Sequence, residues 1–313
     1  MGTCLVLGGA GFIGSHLAEA LAQEGHRVKV FDRPHVDRLP LFARARGFEV
    51  FTGDFLNPQA LAPALQGTEL VFHLVSTTLP KSSNDNPVYD VESNVLGSLR
   101  LIELCRESGV RKLVFVSSGG TVYGVPRSTP VAEDHPTEPT SSYGIHKLMV
   151  EKYLALAHRL HGLDYRIVRP ANLYGPGQRL DTAQGAVAVF LDRALRDQPI
   201  QIWGDGSVVR DYVYIADAVD AMLRAARFEG PQRIFNIGSG KGASLSELVA
   251  EIGQLLGRPV KVEYSAPRAL DVPVNVLDAS LAERHLGWRA STPLPEGLRR
   301  TCEWLRAARR VAN

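Results

Sequence analysis

Cysteine and long apolar stretches are both scarce in this chain. Three cysteines occur among its 313 residues, and Cys4, Cys105 and Cys302 stand far apart in the sequence. Their spacing fits neither a zinc site nor a disulfide framework, so we expect no bound metal and a reducing, cytoplasmic compartment. No apolar run approaches membrane-spanning length, and the apolar N-terminus lacks the basic start and cleavage site of a signal peptide. We therefore expect no membrane partner.

An excess of charge of one sign is also missing. The 35 Lys and Arg residues nearly balance the 33 Asp and Glu residues, which gives a net charge of +2. This balance argues against a surface for nucleic acid, and we expect no such partner. With 45% hydrophobic residues, the chain can bury the core of one large domain or of two modest ones.

The first half of the chain alternates strand and helix patterns. Short apolar runs of the buried-strand type lie at 4–7, 28–31, 70–73 and 113–117. Between them, Ile13, Leu17 and Leu21 form a helical apolar stripe that ends before Gly25, and a second stripe spans 91–102. This alternation predicts an α/β fold, a Rossmann-type doubly wound parallel sheet with helices on both faces.

A glycine loop, Gly8 to Gly14, follows the first predicted strand and opens the first helix. In that context the loop can bring the pyrophosphate of a dinucleotide onto the N-terminus of the helix. Asp32 ends the second strand, where a carboxylate can hold the adenosine ribose diol. The carboxylate repels a 2′-phosphate and so favours NAD over NADP, a preference that the neighbouring Arg33 weakens.

Tyr143 and Lys147 have a spacing that places them on one helix face. A nearby cation stabilises phenolate, so we expect Lys147 to lower the phenol pKa from about 10 toward neutrality. A phenol with a lowered pKa can accept the proton of a secondary alcohol while a neighbouring dinucleotide accepts the hydride, so the pair predicts oxidation of such an alcohol. Ser117 and Ser118 end the preceding strand, and His146 is expected on the helix surface.

The pattern changes after Tyr174. Strand signals become sparser, and Gly, Pro and Trp occur more often. Ser244 and Glu247 match a capping box that opens a helix, which Gly257 ends. We predict an NAD-binding Rossmann domain at 1–174 and a smaller, mainly substrate-binding domain at 175–313, part of which returns to the first domain.

Together the motifs resemble an extended short-chain dehydrogenase/reductase of the nucleotide-sugar epimerase/dehydratase family, most like the UDP-hexose 4-epimerases. The resemblance covers nearly the whole chain. Its segments are 8–14, Asp32, 53–55, 73–74, 94–97, 116–118, 122–124, 143–147, 169–177, 203–206, 210–213 and 236–240. It implies an enzyme that epimerises C4 of a UDP-sugar with NAD, through a transient 4-keto intermediate, in which Tyr143 takes the proton and Lys147 binds the nicotinamide ribose.

The resemblance also implies the site residues. The cofactor contacts are Gly8, Gly11, Phe12, Ile13, Gly14, Asp32, Arg33, Asp54, Phe55, Leu74, Asn94, Tyr143 and Lys147. Within this set, Asp54 meets the adenine amino group and Phe55 lies alongside the ring. The substrate contacts are Asn172, Arg210, Arg268, Asp271 and Asn275. Within this set, Arg210 and Arg268 bind the diphosphate, which suits guanidinium, and Asp271 binds the nucleoside ribose. Relatives dimerise through a bundle of the Tyr143 helix and the helix at 91–102, so we expect a homodimer.

The chain departs from the family at two positions. Gly119 stands where the family usually has a catalytic Ser or Thr. Residues two apart on an extended segment point to one side, so Thr121 is our first substitute, Ser118 the second and a water the third. Asn275 stands at a gate position where a bulky Tyr favours plain hexoses. A smaller side chain leaves room for an N-acetyl group.

Other activities remain as alternatives. A dehydratase or decarboxylase of nucleotide-sugars is one, but dehydratases carry an Asp-Glu pair where this chain has Gly120 and Thr121. A reductase would consume NADPH, which Asp32 disfavours. A non-catalytic NAD-binding redox sensor is suggested only by Gly119. Glucose/galactose, N-acetylated and uronic acid forms of the sugar all stay open.

Overall fold

Strands and helices alternate along the chain. A computed structural model describes residues 2–34, 47–180, 185–267 and 272–312. The strands are β1 (Thr3–Leu7), β2 (Arg27–Asp32), β3 (Glu49–Thr52), β4 (Leu70–His73), β5 (Lys112–Val116), β6 (Asp164–Pro170), β7 (Asn172–Tyr174), β8 (Ile200–Trp203), β9 (Val209–Tyr214), β10 (Ile234–Ile237), β11 (Gly242–Ser244), β12 (Val262–Ser265) and β13 (Val274–Asn275). The helices are α1 (Phe12–Gln23), α2 (Pro58–Leu65), α3 (Pro80–Asp85), α4 (Pro87–Asp90), α5 (Gly97–Glu107), α6 (Ser142–His161), α7 (Ala186–Leu195), α8 (Ile215–Arg227), α9 (Leu245–Leu256), α10 (Ser280–Leu286) and α11 (Leu294–Ala312). A π-helical turn, Val91–Leu96, joins α4 to α5.

Seven parallel strands form the central sheet, in the order β3-β2-β1-β4-β5-β6-β10. All five residues of β5 are buried, because helices cover both faces of the sheet. The four predicted strands are confirmed, and so is the Rossmann-type α/β fold. The strand order reverses between β1 and β4. In such sheets ligands bind in the crevice beyond the carboxyl ends of the strands at the reversal.

Two apolar cores lie on opposite faces of this sheet. In β1, Leu5 and Leu7 belong to one core and Val6 to the other, as the two-residue period of a strand requires. Helices α2, α5 and α6 cover the first core, and α1 and α8 cover the second. The sheet is therefore held from both sides, and its carboxyl edge is left to carry the site.

The chain beyond Tyr174 contains more strands than its sequence indicates. Among the described residues, β8 to β13 lie there, and each is two to six residues long. Runs this short show too little alternation to give a strand pattern. Most of them form two small sheets, one of which includes β7, but β10 pairs with β6 at the edge of the central sheet. The second half of the chain thus contributes to the large sheet.

The helix predicted from a capping box is confirmed as α9. The Ser244 side chain accepts a hydrogen bond from the backbone N of Glu247 at 3.1 Å, and the Glu247 carboxylate accepts one from the backbone N of Ser244 at 2.7 Å. Gly257 follows the helix in the left-handed region, with a φ of 67°. Both ends of this helix therefore follow from local sequence.

Neither a membrane span nor a metal cluster is found in the part of the chain that the structure describes. None of its helices combines the length and apolarity that crossing a bilayer requires. In the same residues, His, Cys, Asp and Glu side chains nowhere gather in threes as potential metal ligands.

Candidate active site

The glycine loop packs so tightly that side chains do not fit in it. A Cβ on Gly14 would lie 2.2 Å from the carbonyl oxygen of Gly8, and a Cβ on Gly9 would lie 2.5 Å from Val30 Cγ1. Gly8 itself has a φ of +80°. Helix α1 begins directly after Gly11, which provides no side-chain cap, and its first turn holds no acidic residue. The loop is therefore a cradle of backbone N–H groups at a helix N-terminus, which fits a dinucleotide pyrophosphate.

Asp32 lies at the edge of this cradle. Its carboxylate accepts hydrogen bonds from the backbone N of Ala10 at 3.0 Å and from the backbone N of Arg33 at 2.8 Å. These contacts fix the carboxylate at the end of β2, next to the loop, as a ribose-binding role requires. The Arg33 side chain is exposed.

Other predicted cofactor residues flank the same edge. Asp54 is exposed after β3 and accepts a hydrogen bond from the backbone N of Leu56 at 2.9 Å. Phe55 is buried and packs on His73, with 5.2 Å between ring centroids, so it supports this edge from inside. The backbone of Leu74 lies against Gly8. The adenine contacts of Asp54 and Phe55 stay predictions.

Tyr143 and Lys147 lie side by side at the carboxyl end of β5. Helix α6 starts at Ser142 and carries both. The Lys147 ammonium is buried, donates to the carbonyl oxygen of Val116 at 3.0 Å, and lies 5.6 Å from the centroid of the Tyr143 ring. Its other neighbour is the Phe115 ring, with 4.9 Å to the centroid. The one-face arrangement expected from the spacing is thus present.

The expected lowering of the Tyr143 pKa is not observed. Burial raises the pKa of Tyr143 to about 12, a hydrogen bond with Ser76 opposes the rise, and the charge of Asp90 adds to it. Burial also lowers the pKa of Lys147 to about 8, against the charges of Glu151 and Asp90. Desolvation by the surrounding elements, which the spacing of two residues does not reveal, therefore outweighs the nearby ammonium.

His146 is buried, and its predicted place on the helix surface is wrong. Its ring packs edge-on against Tyr143 with 4.9 Å between centroids, and its Nδ1 lies 2.9 Å from both carboxylate oxygens of Asp90. The cause is the cover that α4 and the π-helical turn give to this side of α6. Asn94, a predicted cofactor residue on that turn, is buried, and its amide donates to Thr78 Oγ1 at 3.1 Å.

The segment after β5 is a turn, so the geometric reason for choosing Thr121 is wrong. The backbone N of Val122 donates to the carbonyl oxygen of Ser118 at 3.2 Å, and residues two apart therefore do not share a side. A Cβ on Gly119 would lie 2.4 Å from Leu277 Cδ1, inside the protein. Thr121 Oγ1 is buried and has no hydrogen-bond partner among the described residues.

The hydroxyl of Ser118 lies close to the predicted substrate residue Asn172 at the open position of Gly120. A Cβ on Gly120 would have no closer neighbours than Asn172 Oδ1 and Ser118 Oγ, both at 3.9 Å. These two polar groups therefore border one clear volume, and Gly120 keeps it clear.

The predicted substrate residues on β9 and β13 are neighbours. Arg210 pairs with Asn275 in the parallel register of these strands. The Arg210 guanidinium donates to the carbonyl oxygen of Val272 at 2.6 Å. Asn275 is 3% exposed, and its amide donates to the carbonyl oxygen of Gly119 at 3.2 Å. Arg268 and Asp271 lie outside the described residues.

Residues 4–238 match the model of the NAD dependent epimerase/dehydratase family. The chain belongs to this family. A UDP-glucose 4-epimerase of Mycolicibacterium smegmatis is 38% identical over 308 residues, which are 96% of this chain and 98% of that relative. The structure of UDP-glucose 4-epimerase with UDP-glucose from Thermotoga maritima has a TM-score of 0.93 and is 36% identical. The match covers 98% of this chain and 99% of that chain. The complex with NAD of Thermus thermophilus UDP-glucose 4-epimerase has a TM-score of 0.90 and 34% identity, with the same coverage. The predicted family is confirmed.

This epimerase/dehydratase also has a buried network that the sequence did not reveal. Glu151 lies one turn after Lys147 on α6 and pairs with Arg169, with 2.5 Å between Oε2 and Nη2. Its other oxygen accepts a hydrogen bond from Ser117 Oγ at 2.5 Å. Arg169 in turn donates to the hydroxyl of Tyr123 at 2.8 Å. The ion pair thus ties α6 to the ends of β5 and β6, and the repeated spacing of four residues was its one sequence signal.

Proposed function

We propose that the chain epimerises C4 of a UDP-sugar through a transient 4-keto intermediate, with NAD as a retained cofactor. The observation that carries the proposal is the pair Tyr143 and Lys147, side by side at the carboxyl end of β5. The relatives described above are UDP-glucose 4-epimerases, and the two solved structures among them contain UDP-glucose in one case and NAD in the other. The predictions of an NAD-dependent 4-epimerase and of NAD as its cofactor are confirmed by them.

Residues of the cradle would hold the cofactor. The backbone N–H groups of Phe12 and Ile13, at the start of α1, would bind its pyrophosphate, Asp32 the adenosine ribose, and Lys147 the nicotinamide ribose. When bound, NAD+ supplies a hydride acceptor that can return the hydride to either face of the sugar. Because the cofactor is regenerated in each turnover, epimerisation needs no second nucleotide.

Tyr143 transfers the proton. Its phenolate accepts the proton of the C4 hydroxyl and returns it to the C4 oxygen when the 4-keto group is reduced from the opposite face. The ammonium of Lys147 stabilises the phenolate. Burial raises the Tyr143 pKa to about 12, and the positive charge of a bound nicotinamide ring would favour the phenolate.

Ser118 provides the hydroxyl that bridges the sugar and Tyr143. Its Oγ borders the same open space as the amide of Asn172, whereas Gly119 faces Leu277 and Thr121 Oγ1 is buried. The hydroxyl therefore belongs to the residue before Gly119 and is not missing. No water needs to replace it.

Arg210 anchors the diphosphate. A guanidinium forms charge-assisted hydrogen bonds with phosphate oxygens, and a diphosphate held in place lets the 4-keto sugar turn over without leaving. Arg268 and Asp271 are predicted to complete this nucleotide site. Asn275, beside Arg210, borders the sugar and sets which substituents fit.

The predicted homodimer forms through α5 and α6. A groove of about 330 Å³ runs between these helices, and its lining is mostly apolar. Four large side chains on it are more than a third exposed, Leu96, Tyr153, Leu156 and Leu160. Apolar exposure of this kind on two adjacent helices supports burial against a second copy.

A panel of UDP-sugars tests the proposed function. The purified protein is incubated with UDP-glucose, UDP-galactose, UDP-N-acetylglucosamine and UDP-glucuronic acid, and products are resolved by NMR. Interconversion of C4 epimers without added NAD(P)H is expected, and Tyr143→Phe is the matched inactive control. A 4-keto-6-deoxy product would indicate a dehydratase, stoichiometric use of NADPH a reductase, and no turnover of any sugar a non-catalytic protein.

A further inference from the structure

A buried carboxylate lies behind the proposed catalytic pair. Asp90, at the end of α4, is 0% exposed and accepts hydrogen bonds from four side chains. Ser142 Oγ donates at 2.7 Å, His146 Nδ1 at 2.9 Å and Asn94 Nδ2 at 3.1 Å, and the hydroxyl of Thr78 also donates to it. These donors come from the loop after β4, the π-helical turn and the first turn and a half of α6. A single carboxylate therefore fastens three separate segments together.

Stability alone is a weak explanation for the buried charge of Asp90. Burying an ionised carboxylate costs several kcal/mol, and replacing buried charged groups by apolar ones is often neutral or stabilising. The partner of Asp90 is also not an ordinary cation. His146 is 2% exposed, and burial together with the charge of Lys147 lowers its pKa to about 4, so the ring is neutral at physiological pH. Asp90 is the only member of this hydrogen-bonded set that carries a charge.

The position of the pair points to the reaction. His146 lies between Tyr143 and Lys147 in the sequence, and its ring edge packs on the Tyr143 ring. We propose that Asp90, held by His146, is a positioning residue that fixes Tyr143 and Lys147 against the nicotinamide side of the cleft. The inference rests on the proposed function. Asn94, a predicted cofactor contact, donates its amide both to this carboxylate, at 3.1 Å, and to the backbone carbonyl oxygen of Asp90, at 3.0 Å.

The charge of Asp90 also acts on its neighbours. The titratable groups on which it acts are Tyr143, His146 and Lys147. Its negative charge raises the pKa of Tyr143 and also that of Lys147. Glu151 supports Lys147 in the same way, and buried His73 has its pKa lowered by burial and by Lys147, so neither histidine offsets the carboxylate.

The direction of the pH effect follows from these signs. Turnover requires the Tyr143 phenolate and the Lys147 ammonium together, so its pH profile has a rising and a falling limb that both depend on these two pKa values. Asp90→Asn keeps the size of the side chain and removes the charge, so both pKa values decrease. Both limbs of the pH profile of kcat should therefore move to lower pH. A substitution that only loosened the fold would lower kcat at every pH and leave the limbs in place.

A matched pair at His146 separates positioning from stability. Asn can place an amide N–H near the position of Nδ1 and donate to Asp90, whereas Leu has similar size and no donor. We expect His146→Leu to lower kcat about 10–100-fold and His146→Asn to recover most of it, with KM for the UDP-sugar little changed. Equal losses in the two variants, or a loss confined to KM, would overturn the inference.

A titration without sugar makes the test independent of turnover. The ultraviolet difference spectrum of phenolate is followed against pH in the NAD-bound protein, with Tyr143→Phe subtracted to isolate Tyr143. Asp90→Asn should ionise this phenol at lower pH than the parent chain. If the phenol titrates at the same pH in both, the inference fails, even where the parent epimerises UDP-sugars. If the shift is present and no sugar turns over, the proposed function fails and the positioning role stands.

Discussion

Two substitutions on one turn decide which hydroxyl serves Tyr143. Ser118→Ala removes the hydroxyl that borders the open space beside Asn172. A hydrogen bond to a charged group contributes about 1.5–3 kcal/mol, so kcat should decrease roughly 10–150-fold. The free energy of unfolding should hardly change, because Ser118 is not fully buried. NMR of C4 epimerisation measures kcat, and urea unfolding measures stability.

Thr121→Val is the matched control, with the opposite expectation. Thr121 Oγ1 is buried and without a partner among the described residues, and a buried polar group left without a hydrogen bond costs about 1–3 kcal/mol. Replacing the hydroxyl by a methyl group of similar size should therefore leave kcat unchanged and raise the free energy of unfolding or keep it constant. Loss of turnover in Thr121→Val together with an active Ser118→Ala enzyme would refute the assignment of the hydroxyl to Ser118.

The remaining predictions concern the cofactor and the substrate. The protein should purify with NAD(H), read by mass spectrometry after denaturation; NADP(H) alone would contradict the role of Asp32. Tyr143→Phe should lower turnover about 10²–10⁴-fold and retain NAD affinity. Lys147→Ala should lower both turnover, measured by kinetics, and NAD affinity, measured by calorimetry. Arg210→Ala should raise KM for the UDP-sugar roughly 10–150-fold, and an unchanged KM would place the diphosphate elsewhere. Asn275→Tyr should reduce kcat/KM for N-acetylated sugars more than for plain hexoses; equal losses would show that it is no gate.

The sequence predicted the fold and the cofactor cradle because their signals are local. The glycines of the cradle follow one another within seven residues, and Gly14 packs directly on Gly8. The strands of the central sheet are continuous apolar runs, and α9 carries its capping residues in its own sequence. Features of this kind need no knowledge of what packs against them. The short strands β8 to β13 were missed because pairing with distant partners, and not their own pattern, defines them.

The environment of the catalytic pair could not be predicted for the opposite reason. His146 lies on the same helix as Tyr143, but whether it faces water depends on Asp90, which is 56 residues away. The pKa of Tyr143 likewise depends on burial by elements from several parts of the chain. Spacing shows which side chains share a helix face, and packing decides whether that face is dry and which charges surround it.

The turn at Gly119 shows that the substrate half of the chain also shapes the catalytic half. Asn275 donates to the carbonyl oxygen of Gly119 across 156 residues, and Leu277 occupies the space that a side chain at Gly119 would need. Glycine at this position lets β13 and the residues after it pack against the turn, and the proposed role of Ser118 depends on this packing. The sequence comparison identified a hydroxyl as missing because it aligned positions, whereas the direction of each side chain is set by a distant strand. Substitutions on β13 should therefore change kcat, by displacing Ser118, and should also change which sugars the enzyme prefers.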